Sequence, residues 1–177
     1  VNEKAVRFDF THFSPMTAEE IEKVQAIINE EILDGQRVTM QSMPIEEAKK
    51  LGAMALFGEK YGDVVRVVTA GDASIEFCGG THVENTAKIG LFKILGESGV
   101  ASGVRRIEAV TGRGVLQWIH QQQTVLDEAS AALKINQSSA LPAKCAALTA
   151  SLKEKERTIE VLEGRIAAEK LTAMLEK

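Results

Sequence analysis

The sequence predicts an α+β body, with a mixed or antiparallel sheet and packed helices, followed by a long α-helical hairpin of coiled-coil character. Three observations carry this. Apolar runs of period two recur through residues 1–114, interrupted by two helical patterns. A glycine-studded stretch, Gly96 to Gly103, separates two β-rich segments as a long turn would. From Val115 onward the apolar residues step by four and three, the spacing of a coiled-coil seam. A chain of 177 residues that is 45% hydrophobic can bury one or two small cores.

The elements follow in order. Over residues 5–10, Val6, Phe8 and Phe10 fall on one face and Arg7 and Asp9 on the other, as in a half-buried strand. Thr17 and Glu20 form a capping box for a helix carrying Ile21, Val24, Ile27, Ile28 and Ile32, with Gly35 as its stop. Val38 to Met43 reads as a strand, Pro44 to Leu51 as a short helix ended by Gly52, and Asp63 to Thr69 as a Val-rich strand. Ser74 to Phe77 reads as a strand that delivers Cys78. Leu91 to Leu95 and Val104 to Val110 form the two sides of the glycine-rich hairpin. Val115, Ile119, Gln122, Leu126, Ala129 and Leu133 form one seam, residues 136–142 break it, and Leu148, Leu152, Ile159, Leu162 and Ile166 form a second. At ~1.5 Å per residue the two arms predict an antiparallel hairpin projecting roughly 30 to 50 Å from the body. The expected domains are therefore residues 1–114 and residues 115–177.

Composition narrows the function classes. No run reaches the ~18 apolar residues of a membrane span, and no signal peptide precedes the first strand, so a cytoplasmic protein is expected. Val1 in place of Met, opening straight into a strand, predicts a piece cut from a longer protein. Cys78 and Cys145 are too few and too far apart for a disulfide framework. The net charge of −4 by itself argues against a nucleic-acid binder, and DNA is not an expected partner, but residues 86–114 carry five basic against two acidic side chains. Lys88, Lys93, Arg105, Arg106 and Arg113 supply that local excess, a weak phosphate-facing patch in one reading and a solvated strand face in the other. Arg105 and Arg106 are strand neighbours and point to opposite faces. The Gly96 to Gly103 loop lacks the Lys-Ser/Thr ending of a P-loop, so no ATP site is expected here.

Cys78-Gly79-Gly80-Thr81-His82 is the stretch that carries chemistry. Two glycines between a thiol and an imidazole allow a tight turn that brings both toward one point, half of a tetrahedral zinc site. The same spacing also fits a Cys/His nucleophile pair or a plain structural turn. Thr81 reads as a turn hydroxyl, His12 and His120 as structural or surface residues, and Cys145 as small apolar packing in an Ala-rich helix.

The words around this pair make it more specific. Cys78 to Val83 resembles the second metal motif of the editing domain shared by alanyl-tRNA synthetases and their freestanding relatives. Val1 to His12, containing Arg7-Phe8-Asp9-Phe10, and Ser98 to Gly112 resemble the same family in the same order. The resemblance covers roughly residues 1–114, as the C-terminal part of the editing domain. The hairpin of residues 115–177 resembles the family's link toward a C-terminal domain. It implies an aminoacyl-tRNA hydrolase that removes serine or glycine from alanine tRNA at a zinc ion. It also implies a parent ligase that uses ATP elsewhere. Four ligands are implied: Cys78, His82 and two histidines of an H-x-x-x-H motif, which this chain lacks and which would lie upstream of Val1. The expectation is an inactive, incompletely metallated half-site. Competing readings are a related editing domain of threonyl-tRNA synthetase, a freestanding deacylase, or a homodimerisation module built on the helical arm.

Overall fold

A computed structural model describes residues 5–54 and 62–175. The first four residues of the family-like stretch Val1 to His12 lie outside the described residues. The chain divides into two compact units, Val1–Ile119 and His120–Lys177.

The first unit holds two three-stranded antiparallel sheets. One has the order β1 (Val6–Thr11), β6 (Val104–Thr111), β5 (Phe92–Ala101), and the other β2 (Val38–Pro44), β3 (Val64–Ala70), β4 (Ser74–Phe77). Helix α1 (Ala18–Leu33) starts at the predicted capping box, the Thr17 hydroxyl accepting from the Glu20 N–H and the Glu20 carboxylate from the Thr17 N–H. It ends at Gly35, whose φ of +65° suits a residue without Cβ. Side chains of α1 then satisfy the open edge of β5. Asn29 donates to the Phe92 carbonyl and accepts from its N–H, and Gln25 accepts from the Ile94 N–H. An edge strand is thereby closed by two amides, which fixes the helix against the sheet. Ile94, Ile107 and Ala109 form the buried centre there, with Val6, Phe10, Ile21 and Val24 packed on it.

The second sheet has its own core. Ala48 of α2 (Ile45–Lys50), Val65, Val67 and Phe77 are buried together, with Met43, Ile45 and Ile75 against them. Residues alternate in a strand, so Arg66 and the buried Val68 of β3 share the opposite face with Ser74 and Glu76 of β4.

One predicted boundary changes. The stretch from Gly96 to Gly103 is not a long turn: β5 runs on to Ala101, and only Ser102 and Gly103 connect it to β6. Register shifts at Ile94/Gly96 and Gly99/Ala101 absorb extra residues as bulges, which glycine permits without side-chain conflict.

In the second unit, the later part of α3 (Arg113–Ala132) leads to α4 (Leu141–Leu175), with a short 3-10 turn, Ser138–Ala140, at the predicted break. Leu148, Leu152, Ile159, Leu162 and Ile166 are exposed along α4, so their seam is not covered within the described residues. Cys145 is exposed on α4 too, which corrects the expectation of apolar packing. No helix is long and apolar enough to cross a membrane among the described residues.

Candidate metal centre

Strand β4 aims its side chains by alternation. Ile75 and Phe77 join the core, so Glu76 faces away from it, and Cys78 follows on the same side two residues later. The Cys78 N–H donates to the Arg66 carbonyl at 3.1 Å, which continues the β3–β4 pairing one step past the strand end. The glycine turn then returns His82 toward the strand. Its far end is tied to β2, where Val38 N–H donates to the Glu84 carbonyl at 2.9 Å and Thr86 N–H to the Gln36 carbonyl at 2.9 Å. Arg66 also donates from its guanidinium to the Gly79 carbonyl at 3.1 Å. The loop is therefore held at its start, its turn and its exit.

The result is a three-donor cluster. Ligand atoms of Glu76, Cys78 and His82 lie within 4.8 Å of one another, and all three residues are half-buried. His82 Nε2 is buried with no hydrogen-bond partner among the described residues. An unsatisfied buried imidazole nitrogen is costly, and a thiol, a carboxyl and an imidazole are together a donor set that zinc accepts. These residues fit a metal ion. Sequence reasoning singled out Cys78 and His82 but not Glu76, although period-two alternation from Cys78 points to it. Thr81 is exposed at the turn.

The remaining predicted residues lie elsewhere. Arg106 forms a two-point pair with Asp9, Lys88 pairs with Glu84 at 2.9 Å, and Arg105 pairs with Glu97. The hydrogen bond from Arg106 holds the Asp9 carboxyl below the usual carboxylate range, and that from Lys88 does the same for Glu84. Arg105 and Arg106 do face opposite ways, as strand alternation predicts, but each already meets an internal carboxylate. Lys93 donates to Gln25 and lies 5.0 Å from the centre of the Trp118 ring. Arg113 is exposed at the start of α3. His12 is exposed beside Ser14, and His120 is exposed on α3. A cavity of about 450 Å³ between α1 and the first sheet is lined by apolar side chains such as Phe8, Met16 and Ile28, and it offers no group for chemistry.

Comparison with known families places this architecture. Residues 65–108, running from β3 through the Cys-His turn into β6, match the family described as "Threonyl and Alanyl tRNA synthetase second additional domain". The matched segment is thus similar to an accessory domain of the aminoacyl-tRNA synthetase class. The chain is 51% identical over its whole length to the alanine–tRNA ligase of Bacillus pumilus (strain SAFR-032) and 50% identical over its whole length to that of Bacillus subtilis (strain 168). It is 49% identical over 95% of its length to that of Listeria monocytogenes serotype 4b (strain F2365). The chain belongs to the alanyl-tRNA synthetase family. It spans 20% of the length of the Bacillus relatives and 19% of the Listeria one.

Proposed function

We propose that this segment forms part of the editing site of an alanine–tRNA ligase, which hydrolyses the ester of serine or glycine wrongly attached to alanine tRNA. The observation that carries the reading is the convergence of Cys78 and His82, with a buried imidazole nitrogen left unpartnered, inside the family-matched segment. Cys78 as thiolate and His82 as neutral imidazole hold zinc in this reading, together with two histidines of the H-x-x-x-H motif implied by the family resemblance. Bound zinc supplies orientation of the aminoacyl ester, activation of water or stabilisation of the oxyanion.

The protein's own residues do the positioning. Arg66 fixes the Gly79 carbonyl and so the path of the turn, and Phe77 anchors the strand that presents Cys78. Lys88, Lys93, Arg105, Arg106 and Arg113 form a weak backbone-contacting patch for alanine tRNA in this proposal, with Arg113 and Lys93 bearing most of it because the others meet carboxylates. Alanylation with ATP belongs to other parts of the full-length protein, which acts in the cytoplasm. The 177-residue chain alone is proposed not to deacylate tRNA, because it lacks an H-x-x-x-H motif.

The test uses full-length alanine–tRNA ligase containing this segment, with misacylated Ser-tRNA(Ala). Cys78→Ala should abolish deacylation while alanylation continues. Undiminished deacylation by that variant would end the editing-site assignment.

A second reading rests on the exposed α4 seam. Leu152 and Ile159 stand half or more exposed at heptad spacing, which fits pairing with a second copy of the arm. Sedimentation over a concentration series should show a monomer–dimer equilibrium weakened by Leu152→Lys, and a strictly monomeric chain would remove this reading.

A further inference from the structure

Several acidic side chains of the first unit, Glu19, Glu22 and Asp72 among them, stand exposed to solvent, whereas Glu76 is set apart by its place beside Cys78 and His82. Glu84, Glu97, Glu108 and Asp9 each meet a lysine or arginine, and Glu20 caps a helix. Glu76 is half-buried, and among the described residues its carboxylate has neither an ion pair nor a hydrogen bond. A partly desolvated carboxylate with no partner is unfavourable unless a cation meets it. Beside it stand a thiol and a buried, unpartnered imidazole nitrogen.

Geometry and charge agree. With bond lengths of about 2.0 to 2.3 Å, ligands of a tetrahedral zinc ion lie roughly 3.5 Å apart. Three donor atoms within 4.8 Å of one another stand close to that spacing, on a backbone held by β3 and β2. A thiolate and a carboxylate together balance the ion's double charge, and three protein ligands leave one position open, the arrangement of a catalytic zinc centre.

We propose that Glu76 is a direct ligand of the metal, so that this chain holds zinc with three donors of its own, Glu76, Cys78 and His82. The inference rests on the zinc reading of Cys78 and His82. It replaces the two-donor half-site expected from sequence, in which water would fill half the shell. In the full-length protein the carboxylate is then a ligand that can yield its place when further histidines or a substrate oxygen approach.

The test titrates Co²⁺, as a spectroscopic stand-in for zinc, into the 177-residue chain. All variants carry Cys145→Ser, because that thiol is exposed on α4. The parent chain should bind one Co²⁺ with thiolate charge-transfer absorption and the intense ligand-field bands of a four-coordinate ion. Glu76→Gln should weaken binding by about tenfold or more and lower the intensity of those bands as water enters the shell. Glu76→Asp, which keeps the carboxylate, should recover part of both. Metal-free circular dichroism and melting should be the same for all three. Unchanged bands in Glu76→Gln, whether or not affinity falls, would overturn direct ligation, since Glu76 would then act only through its neighbours. Two further variants separate this from the underlying reading. If Cys78→Ser and His82→Ala abolish binding while Glu76→Gln does not alter the bands, only the inference about Glu76 fails. If the parent chain binds no Co²⁺, or those two variants bind it normally, the zinc reading fails and the inference with it.

Discussion

Across the β5–β6 hairpin the carboxylate of Glu97 grips the guanidinium of Arg105 at two points, and the Glu97 side chain keeps only 4% of its exposure. The same carboxylate accepts from the Met16 N–H at 3.4 Å, so it also ties the segment before α1 to the sheet. The hydrogen bond from Arg105 is the main cause that holds the Glu97 carboxyl below the usual carboxylate range. A carboxyl whose folded pKa is depressed stabilises the fold above its unfolded value, and that contribution is lost as pH falls through the folded value. Glu97→Gln should therefore lower the melting temperature of the first unit by several degrees at neutral pH. The difference from the parent should shrink below about pH 4 and vanish once Glu97 is protonated in both states. Trp118, the sole tryptophan and a member of the first unit, gives the fluorescence signal for these melts. A gap between variant and parent that stays constant down to acid pH would show that the pair contributes packing and not charge.

The start of α1 makes a second prediction. Thr17 and Glu20 exchange hydrogen bonds of 3.2 and 2.8 Å, satisfying two backbone donors at an exposed helix end. Thr17→Ala removes one of them and should cost about 1 kcal/mol in urea unfolding, with Thr17→Ser close to the parent. Since α1 also closes the edge of β5 through Asn29 and Gln25, the loss should appear in the unfolding of the whole first unit.

These two sites also show how far the sequence could be read. The capping box is a local signal, complete within four residues, and it survives unchanged in the structure. The end of β4 before Cys78 and the opposite directions of Arg105 and Arg106 were likewise readable from local period. The length of β5 was not, because glycines at 96, 99 and 103 carry a turn signal that only cross-strand partners override. The Glu97–Arg105 pair is such a partner, and it becomes visible once the register is known. Cys145 illustrates the opposite failure. Its Ala-rich surroundings resemble a packed helix, but nothing in one chain's sequence says which face of α4 is covered. Glu76 was within reach, two residues before the candidate ligand Cys78, but carboxylates on strand ends are too common for spacing alone to select it.

Gly112 makes a third prediction, set by backbone geometry. It has a φ of +50°, and a Cβ there would lie 3.1 Å from the Ile89 carbonyl oxygen. Gly90 faces it with a φ of +73°, and its own Cβ would lie 3.0 Å from the Gly112 Cα. The two glycines allow the chain entering β5 to cross the chain leaving β6, a crossing fixed by the Gly112 N–H donating to the Leu91 carbonyl at 2.8 Å. Gly112→Ala should cost roughly 1 to 3 kcal/mol from the left-handed backbone, with the contact adding to it. Gly164 of α4 meets nothing within 4 Å of an added Cβ, so Gly164→Ala should slightly stabilise that helix. Parallel melts of the two variants, with opposite signs expected, check both statements.

Building the proposed metal site is separable from donating to it. Phe77 is buried at 6% exposure between Glu76 and Cys78, and its ring packs among Val65, Val67 and Ala48 instead of facing the cluster. Phe77→Ala empties the centre of that small core and should cost about 3 to 5 kcal/mol. Because Cys78 takes its place from the end of β4 through the bond to Arg66, a loosened strand should also spread the donor atoms apart. Metal affinity should fall in Phe77→Ala even though all three donors remain, and Phe77→Leu should restore most of both properties. Cys78→Ser should do the reverse, losing metal while leaving metal-free stability nearly unchanged. Urea unfolding without metal and Co²⁺ titration, run on the same four proteins, place each on two axes. If Phe77→Ala lost stability but bound metal as tightly as the parent, the position of Cys78 would be fixed by its loop and not by the core beneath it.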